Sequence, residues 1–322
     1  MIEPLLAILA DGKFHSGQDL GKMLGVSRSA VWKQIKLIEE SGIEVYSIKG
    51  RGYRIPGGLD LLNPELIDEA LLADVKQRLS NISVNLTIPS TNAMAMQAVY
   101  TDGHGSLYLA EQQTAGRGRR GRDWVSPFAG NLYFSLTWQF NNGAAALEGL
   151  SLAVGVALVR GLKRIGIDGV EVKWPNDLLW RGRKLAGVLL EMSGDASGEC
   201  YVVIGVGINV KMPESASGAI DQPWTDLQQI AGNAPSRSVL IAELMNELVP
   251  VLEQFSETGF APFVDEWQRV NAHSDQAISL QIGPRQELGV CRGVDKSGAL
   301  LLEGTDGELQ SYHGGEVSVR LA

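Results

Sequence analysis

Hydrophobic positions in the first sixty residues recur with helical spacing. An apolar stretch from Pro4 to Ala10 predicts a first short helix. A second helix is predicted from Ser16 to Leu24, because Ser16 can cap it and Asp19 completes a capping-box-like pair. After a turn at Gly25, Ser27 caps a third predicted helix, RSAVWKQIKLIEESG. The i, i+4, i+7 positions of its buried face are Val31, Ile35 and Ile38.

The segment after the third helix predicts two short strands. EVYSIKGRGYRI has the pattern of a hairpin whose turn is Gly50-Arg51-Gly52. Three helices followed by such a wing are typical of a winged helix-turn-helix, which binds DNA. The residues expected to meet DNA are Ser27, Arg28, Ser29, Lys33, Lys36 and Arg51. Trp32 is expected to lie in the core or to be partly buried. The alternative is a small packing module that serves dimerisation alone.

Beyond a Gly57-Gly58 linker the pattern changes to strands with few helices. A short helix is predicted from about Pro64 to Leu79, a buried apolar helix from about Leu147 to Ile165, and a helical region over 237–269. Strand-like runs occupy residues 84–90, 106–113, 131–140, 169–174, 184–192 and 201–210. This order predicts an α+β sheet packed on helices rather than a strictly alternating parallel fold.

The last fifty residues predict short strands joined by tight turns. The turns fall at Gly283-Pro284, Lys296-Ser297-Gly298 and Asp306-Gly307, which fits a small SH3-like β-barrel. The predicted fold class is therefore α+β multidomain. Its parts are a winged helix-turn-helix domain at residues 1–60, a central mixed α/β sheet domain at 61–272 and the C-terminal barrel at 273–322.

Composition and charge exclude several classes of protein. The 322 residues are 44% hydrophobic and 20% charged, and no apolar run is long enough to predict a membrane span. The N-terminus lacks the basic region of a secretory signal, and Cys200 and Cys291 follow no metal spacing, so we expect a cytoplasmic protein. The net charge of −9 argues against indiscriminate nucleic-acid binding. Residues 1–60 differ, because they carry eight Lys/Arg against seven Asp/Glu.

Four arginines stand among glycines in residues 114–127, TAGRGRRGRDWVSP, between two predicted strands. Glycine lets backbone N–H groups approach an anion, and arginine supplies forked donors for phosphate oxygens. The pattern lacks the GxxxxGK[ST] of a P-loop. We interpret this stretch as a loop that closes over a phosphate. An RNA-binding RGG segment and a plain solvated loop are the alternatives.

A second constellation is KWPND at residues 173–177. Pro175 stops the strand ladder, so Asn176 and Asp177 fall at a bend where their side chains can face a ligand. Lys184 opens the next strand, and Gly187 permits close approach of a ligand. The alternative is a turn with a capping aspartate and a solvent-facing lysine.

A third constellation is Ser90-Thr91-Asn92, which follows a strand and Pro89. These small polar side chains suit the cap of a helix that begins before MAMQAVY, and they equally suit a small polar ligand. The two interpretations are compatible, and the sequence does not separate them.

Taken in order, the motifs of this chain closely resemble those of biotin–protein ligases. The matching stretches are STN (90–92), EQQTAGRGRRGRDWVSP (111–127), NLYFSL (131–136), VKWPNDLLW (172–180), RKLAGVLLE (183–191) and GVGINV (205–210). The winged helix in front, with GRGY at 50–53, resembles the bifunctional bacterial form that also represses the biotin operon. The terminal LLLEGTDGELQSYHGGEVSVR is similar to that family's small C-terminal barrel.

The resemblance implies a two-step reaction in which biotin and ATP are substrates. Biotin and MgATP first give biotinoyl-5′-adenylate and pyrophosphate. A lysine of the biotin carboxyl carrier protein of acetyl-CoA carboxylase then attacks the mixed anhydride and releases AMP. Without the carrier, the adenylate-bound enzyme of this family forms a homodimer that binds the operator DNA of the biotin operon.

The resemblance also implies roles for individual residues. The catalytic residues would be Lys184, which holds the biotin carboxylate and stabilises phosphate charge, and Arg119. The residues implied to contact biotin are Ser90, Thr91, Asn92, Gln113, Arg117, Gly118, Arg119, Lys184 and Gly187. Those implied to contact ATP or the adenylate are Arg119, Arg120, Arg122, Trp124, Asn176, Asp177 and Asn209, with Asp177 also placing Mg²⁺. The arginine loop would be a lid that keeps water from the anhydride. Gly314, Gly315 and Glu316 would approach the nucleotide or support carrier docking.

Two rival functions remain open at this stage. A lipoate–protein ligase also makes an acyl-adenylate, but the arginine loop and the attached winged helix favour biotin. The second alternative is a non-enzymatic regulator that only senses biotin or its adenylate. Sensing alone would not require Lys184, the arginine loop and KWPND together.

Overall fold

The N-terminal part of the chain is a three-helix winged module in the computed structural model, which describes residues 2–141, 143–194, 198–218, 220–314 and 317–322. Its elements are α1 (Glu3–Leu9), α2 (Gly17–Leu24), α3 (Arg28–Glu40), β1 (Tyr46–Ile48) and β2 (Gly52–Arg54). The predicted caps are confirmed, since Ser16 Oγ accepts from the Asp19 N–H at 3.1 Å and Ser27 Oγ from the Ala30 N–H at 3.2 Å. Strands β1 and β2 pair as an antiparallel hairpin.

The core of this module lies between the helices. Val31, Ile35 and Ile38 are buried as predicted, against Leu5, Leu6, Leu9 and Leu20. The expectation for Trp32 is wrong, because its side chain is 52% exposed. Successive residues of a helix are about 100° apart, so Trp32 lies outside the stripe that Val31, Ile35 and Ile38 bury.

The central part is a seven-stranded mixed sheet with helices on both faces. Its strands are β3 (Asn81–Ile88), β4 (Ser106–Gln113), β5 (Asn131–Phe140), β6 (Val170–Lys173), β7 (Asp177–Trp180), β8 (Arg183–Gly194) and β9 (Cys200–Asn209). Its helices are α4 (Pro64–Ala70), α5 (Ala73–Arg78), α6 (Thr91–Asp102), α7 (Leu150–Arg164), α8 (Glu214–Ser217), α9 (Leu227–Ala231), α10 (Arg237–Thr258) and α11 (Val264–Arg269). The strand order is β3-β4-β5-β9-β8-β7-β6, with β3 and β4 parallel and the other pairs antiparallel.

The two faces of the sheet bury different helices. Side chains of β4 alternate: Leu107 and Leu109 enter the main core, whereas Tyr108 packs in the smaller cluster with Ala95 of α6. Helices α7 and α10 contact each other over the main core, and α7 is buried over most of its length as its apolar sequence predicts. The last residue of β4, the first residues of β7 and β8 and the last residues of β9 lie around one cleft, to which they contribute Gln113, Asp177, Lys184 and Gly207.

One sequence expectation for the central part is wrong, and one strand was not predicted. The segment from Pro64 to Leu79 is two helices, because Leu71 and Leu72 adopt extended backbone. The side-chain amide of buried Asn246 satisfies backbone groups at the end of α4 and at the start of α5. Its Oδ1 accepts from the Leu72 N–H at 2.9 Å, and its Nδ2 donates to the Ala70 carbonyl at 3.2 Å. The strand predicted over 169–174 is confirmed as β6, and β7, which pairs back on it as the second half of a hairpin, was not predicted.

The C-terminal part is confirmed as an all-β unit. Five antiparallel strands, in the order β13-β12-β11-β10-β14, form one sheet. They are β10 (Ala277–Ile282), β11 (Arg285–Val294), β12 (Leu300–Glu303), β13 (Leu309–Tyr312) and β14 (Val317–Leu321). Across the described residues, no helix is long and apolar enough to cross a membrane.

Candidate functional site

The KWPND motif forms the tight connection between β6 and β7. The Trp174–Pro175 peptide bond is cis, and the Pro175 carbonyl accepts from Ser151 Oγ at 3.0 Å. Asn176 is fixed against β8, because its Nδ2 donates to the Val188 carbonyl at 2.6 Å and its own carbonyl accepts from the Val188 N–H. The motif is therefore a rigid bend that presents Asn176 and Asp177 to the cleft beside it.

Lys184 and Asp177 form an ion pair inside this cleft. Lys184 Nζ lies 2.8 Å from Asp177 Oδ1, and the two side chains are only 17% and 18% exposed. Strands β7 and β8 are neighbours, with Asp177 opposite Gly187 in their register. Gly187 has no side chain, so the Lys184 ammonium extends over it. The result is a partly desolvated ammonium whose position is set by a carboxylate.

The polar triplet predicted from Ser90-Thr91-Asn92 serves both as a helix cap and as a hydrogen-bonding wall. Ser90 caps α6 through the Ala93 N–H. Gln113 Oε1 accepts from the Thr91 N–H at 2.9 Å, which joins the end of β4 to the start of α6. Buried Ser135 donates to Thr91 Oγ1 at 2.8 Å, while Asn92 Oδ1 lies 2.6 Å from the same hydroxyl. Both interpretations left open by the sequence are thus compatible with the structure.

The arginine loop folds back on itself between β4 and β5. Its backbone closes through Gly118 N–H to the Arg122 carbonyl and Trp124 N–H to the Gly116 carbonyl, at 2.7 and 2.9 Å. Residues Arg119–Gly121 form a single 3₁₀ turn. Arg119 donates to Asn176 Oδ1 at 3.0 Å, and so the loop reaches across the cleft to the KWPND bend. Burial lowers the pKa of Arg119 below its ordinary value, and the nearby Asp177 offsets only part of this effect.

Arg117 anchors the other side of the loop. Its Nη2 contacts both carboxylate oxygens of Glu191, at 3.0 and 2.9 Å. The same carboxylate accepts from Asn92 Nδ2 at 2.8 Å. Glu191 therefore links the loop to the polar triplet, although it is not among the sequence-predicted site residues.

Trp124 lies on a floor of glycines. A Cβ atom at Gly207 would stand 2.4 Å from Trp124 Cε2, and one at Gly187 would stand 3.2 Å from Trp124 Cζ3. The ring also lies 5.4 Å from the Lys184 ammonium, measured to its centroid. Trp124 Nε1 is buried and meets no hydrogen-bond partner among the described residues. The glycines of β8 and β9 thus make room for a flat group against the sheet.

These elements surround one cleft of about 610 Å³. The predicted residues that it brings together are Ser90, Thr91, Asn92, Gln113, Arg117, Gly118, Arg119, Arg120, Arg122, Trp124, Asn176, Asp177, Lys184 and Gly187. Asn209 does not line the cleft; its amide is buried and donates to the Thr225 carbonyl at 3.0 Å. Gly314 borders a neighbouring pocket of about 380 Å³, whereas Gly315 and Glu316 lie outside the described residues.

The charge of the cleft suits an anionic ligand. Its described lining holds seven Lys or Arg side chains and three Asp side chains. Three of its basic residues are absent from the sequence predictions: Lys173, His273 and Arg320. Burial lowers the pKa of Lys173, and burial together with Lys173 lowers the pKa of His273 to about 4. Lys173 stands within the quoted motif, but His273 and Arg320 come from distant segments that carry no local signal.

The carboxylates of the cleft do not form a cluster of metal ligands among the described residues. No group of three or more His, Cys, Asp or Glu side chains suited to a metal occurs in the described parts of the chain. Asp123, Asp177 and Asp221 line the cleft individually. Magnesium in nucleotide sites is commonly held by one or two carboxylates plus the substrate phosphates, so this donor set fits an ion that arrives with ATP.

The second candidate site is the outer face of α3 with the wing. Arg28, Ser29, Lys33 and Lys36 are exposed there, as predicted. Ser27 is exposed too, but its hydroxyl is engaged in the helix cap and lies 2.8 Å from Ser29 Oγ. On the wing, the Arg51 guanidinium lies over the Phe14 ring at 4.3 Å. Lys36 pairs with Glu39 at 2.6 Å, so its charge is partly compensated.

Three family models match the chain in the same order as its parts. They are an HTH domain at residues 3–54, the Biotin/lipoate A/B protein ligase family at 87–209 and the Biotin protein ligase C terminal domain at 273–320. The bifunctional ligase/repressor BirA proteins of Salmonella typhimurium and Escherichia coli are each 41% identical over 318 residues, which covers 99% of this chain and 97% of theirs. The biotin–[acetyl-CoA-carboxylase] ligase of Paracoccus denitrificans is 36% identical over 68% of this chain and 92% of its own.

A solved structure shares the architecture of about three quarters of this chain. The biotin protein ligase from Aquifex aeolicus in complex with biotin and ATP superimposes with a TM-score of 0.66 at 27% identity. It covers 76% of this chain and all of its own.

Proposed function

The chain belongs to the family of biotin protein ligases, in the group of bifunctional ligase/repressors, and from this premise we propose that it activates biotin with ATP and transfers it to a carrier lysine. The observation that carries the proposal is the Lys184–Asp177 ion pair, held at 2.8 Å in a cationic cleft beneath the arginine loop. Biotin–[biotin carboxyl-carrier protein] ligase activity needs such a group, because its first step brings a carboxylate against a phosphate.

In the first step a biotin carboxylate oxygen bonds to the α-phosphorus of ATP, and the bond from that phosphorus to pyrophosphate breaks. Negative charge accumulates on the phosphate oxygens as the two anions meet. Lys184 stabilises this charge and Arg119 assists it across the cleft, and one well-placed donor of this kind contributes about 3–4 kcal/mol to the transition state. Asp177 positions the Lys184 ammonium at 2.8 Å.

The ureido ring of biotin binds at the polar wall. Ser90, Thr91, Asn92 and Gln113 offer hydroxyl and amide groups that both donate and accept, as a bicyclic urea requires. Gly187 lets Lys184 and Trp124 lie close to the sheet, and the biotin chain passes beside them. Arg117 and Gly118 close the pocket from the loop side.

The arginine loop acts as the lid over the adenylate. Arg119 already reaches Asn176 in the structure, and Arg120 and Arg122, which line the same cleft, are assigned to contact the phosphates. Trp124 covers the adenine. Exclusion of water protects the mixed anhydride, which would otherwise hydrolyse. Mg²⁺ supplies charge neutralisation for the phosphates when bound with ATP, and Asp177 is the carboxylate we assign to hold it.

In the second step the neutral ε-amine of the carrier lysine attacks the acyl carbon. A carbon–nitrogen bond forms, the bond to the AMP phosphate oxygen breaks, and the amine gives up one proton. The acceptor is the biotin carboxyl carrier protein of acetyl-CoA carboxylase. Gly314 lies on the adjacent pocket, and we propose that this side of the C-terminal sheet supports carrier docking.

The same chain represses transcription of the biotin biosynthesis operon. Support comes from the cationic outer face of α3 and from the 41% identity to proteins named as ligase/repressors. The adenylate-bound homodimer is the form that binds the operator. We also propose that the domain boundaries lie at residues 60 and 272. A cytoplasmic location is proposed as well, because it fits the free thiols of Cys200 and Cys291.

Transfer of labelled biotin to a purified carrier protein tests the proposal. With MgATP, the chain should attach one biotin to the wild-type carrier and none to a carrier whose acceptor lysine is arginine. Failure to label the wild-type carrier, with adenylate nevertheless formed, would restrict the protein to a sensing role.

A further inference from the structure

Trp32 is the one large aromatic side chain described on the outer face of α3. Its side chain is 52% exposed, whereas Val31 and Ile35, which pack in the core of the module, are almost completely buried. A tryptophan rarely has this exposure in a small module that must bury its apolar surface. The exposed ring therefore indicates a partner surface that the free chain leaves open.

The neighbours of Trp32 identify the chemistry of that surface. One helical turn away lie Arg28 and Ser29 on the N-terminal side and Lys36 on the C-terminal side, all exposed. Lys33 follows directly. The patch is thus a flat apolar group surrounded by cationic and hydroxyl groups. Such a surface complements DNA, where phosphates lie on both sides of a groove floor of bases.

The position of Trp32 along α3 decides what it meets. It is the fifth residue of a helix that begins at Arg28. Recognition helices contact base edges through their N-terminal residues, and their C-terminal half lies closer to the phosphate backbone of the DNA. Arg28, Ser29 and Trp32 are therefore the residues of α3 that enter deepest, and Lys36 is nearer the phosphates.

We propose that Trp32 reads sequence in the major groove by packing its indole ring against the 5-methyl group of a thymine. Among the four bases only thymine presents a methyl group in that groove, so an apolar ring there discriminates thymine from cytosine. This inference rests on the proposed operator binding and names a specificity-determining residue within it. Arg28 supplies a base contact on one side of Trp32, and Lys33 supplies a phosphate contact on the other.

Selection from a randomised duplex library tests the inference with the full chain, biotin and MgATP. Wild type should enrich one sequence with a fixed thymine, and Trp32→Ala should enrich sites in which that position alone is degenerate. Leu37→Ala is the matched control, because Leu37 is 50% exposed on the same helix but on its C-terminal half, and it should retain the wild-type preference. Lys33→Ala should weaken binding evenly across sequences.

A second arm removes the methyl group from DNA. Deoxyuridine in place of the selected thymine should weaken wild-type binding about tenfold and Trp32→Ala binding less than about twofold. Equal losses for both proteins, or an unchanged preference in Trp32→Ala, would overturn the role of Trp32 while leaving operator binding intact. If wild type enriches no sequence at all, then operator binding and this inference both fail. Trp32→Ala should retain the far-UV circular dichroism spectrum and the thermal unfolding curve of wild type, which verifies that its winged module is folded.

Discussion

The Arg237 guanidinium donates to the Glu111 carboxylate at 2.6 Å, and the two side chains are 1% and 2% exposed. Arg237 is the first residue of α10 and also donates to the carbonyls of Asn131 and Asp60, at 2.9 and 3.0 Å. Glu111 accepts in addition from the Leu62 N–H at 2.6 Å. One buried ion pair therefore fastens the segment after the winged module to the ends of β4 and β5, two residues from Gln113.

Glu111→Ala should strongly destabilise the central part. It leaves a buried guanidinium without its carboxylate, which costs about 3–5 kcal/mol. The free energy of unfolding from urea titration measures the loss. Glu253→Ala is the control, because the Arg78–Glu253 pair is 59% and 41% exposed and such pairs contribute about 0–1 kcal/mol. Equal effects of the two substitutions would contradict the importance of the buried pair.

Lys184→Ala should fold normally and lose adenylation by at least about a hundredfold, because a charge-stabilising donor is removed. Pyrophosphate release in the presence of biotin and MgATP measures the rate. Lys163→Ala, on the exposed end of α7, should keep the wild-type rate. Near-normal release by Lys184→Ala would remove this residue from the catalytic step.

Arg119→Gly should still bind biotin but release the adenylate faster than wild type. The substitution deletes the hydrogen bond from the loop to Asn176 Oδ1, so the lid no longer closes on the cleft. The half-life of enzyme-bound adenylate after removal of free ligand measures the leak. Arg181→Gly changes an arginine on the exposed turn between β7 and β8 and should not alter that half-life. An unchanged half-life in Arg119→Gly would refute the lid.

His273 should make stability depend on pH in the acidic range. Burial holds the pKa of His273 at about 4 in the folded chain, below its ordinary value of 6.5. Between these values the unfolded chain binds the extra proton, so stability is complete above about pH 6.5 and falls as pH drops toward 4. The loss from this group alone is roughly 2–3 kcal/mol.

The difference between wild type and His273→Gln isolates this contribution. Thermal unfolding between pH 7 and pH 4.5 should show a smaller loss in the variant, which cannot take up the proton. Burial also lowers the pKa of His104, so both proteins retain some acid sensitivity. Parallel curves for the two proteins would exclude His273 as a source.

Removal of the winged module should abolish operator binding and preserve ligase chemistry, provided that the cut spares Asp60. A chain that begins at Leu59 keeps the Asp60 carbonyl for Arg237, whereas one that begins at residue 61 loses it. The longer chain should therefore be more stable to urea. Specific operator binding by either truncated chain would refute the assignment of DNA binding to this module.

Local features followed from the sequence because their causes lie within a few residues. The caps at Ser16 and Ser27 and the buried stripe of α3 are of this kind. The break between α4 and α5 did not follow, because its polar groups are satisfied by Asn246, 174 residues from Leu72. The expected burial of Trp32 is wrong because its position on α3 lies outside the stripe formed by Val31, Ile35 and Ile38.

The candidate site was predictable only where its residues stand in compact motifs. KWPND and the arginine loop marked their positions by unusual combinations of glycine, proline and charge. His273 and Arg320 reach the same cleft through the packing of the C-terminal sheet, which no local pattern announces. Glu191 lay within a recognised stretch, but its bridging of Arg117 and Asn92 depends on tertiary contacts.

Mass spectrometry of the small molecules formed by the pure chain tests the central claim most directly. The protein is mixed with MgATP and either biotin or lipoate. We expect biotinoyl-AMP and pyrophosphate from biotin and no adenylate from lipoate. Lipoyl-AMP, or no adenylate from biotin, would contradict the central claim.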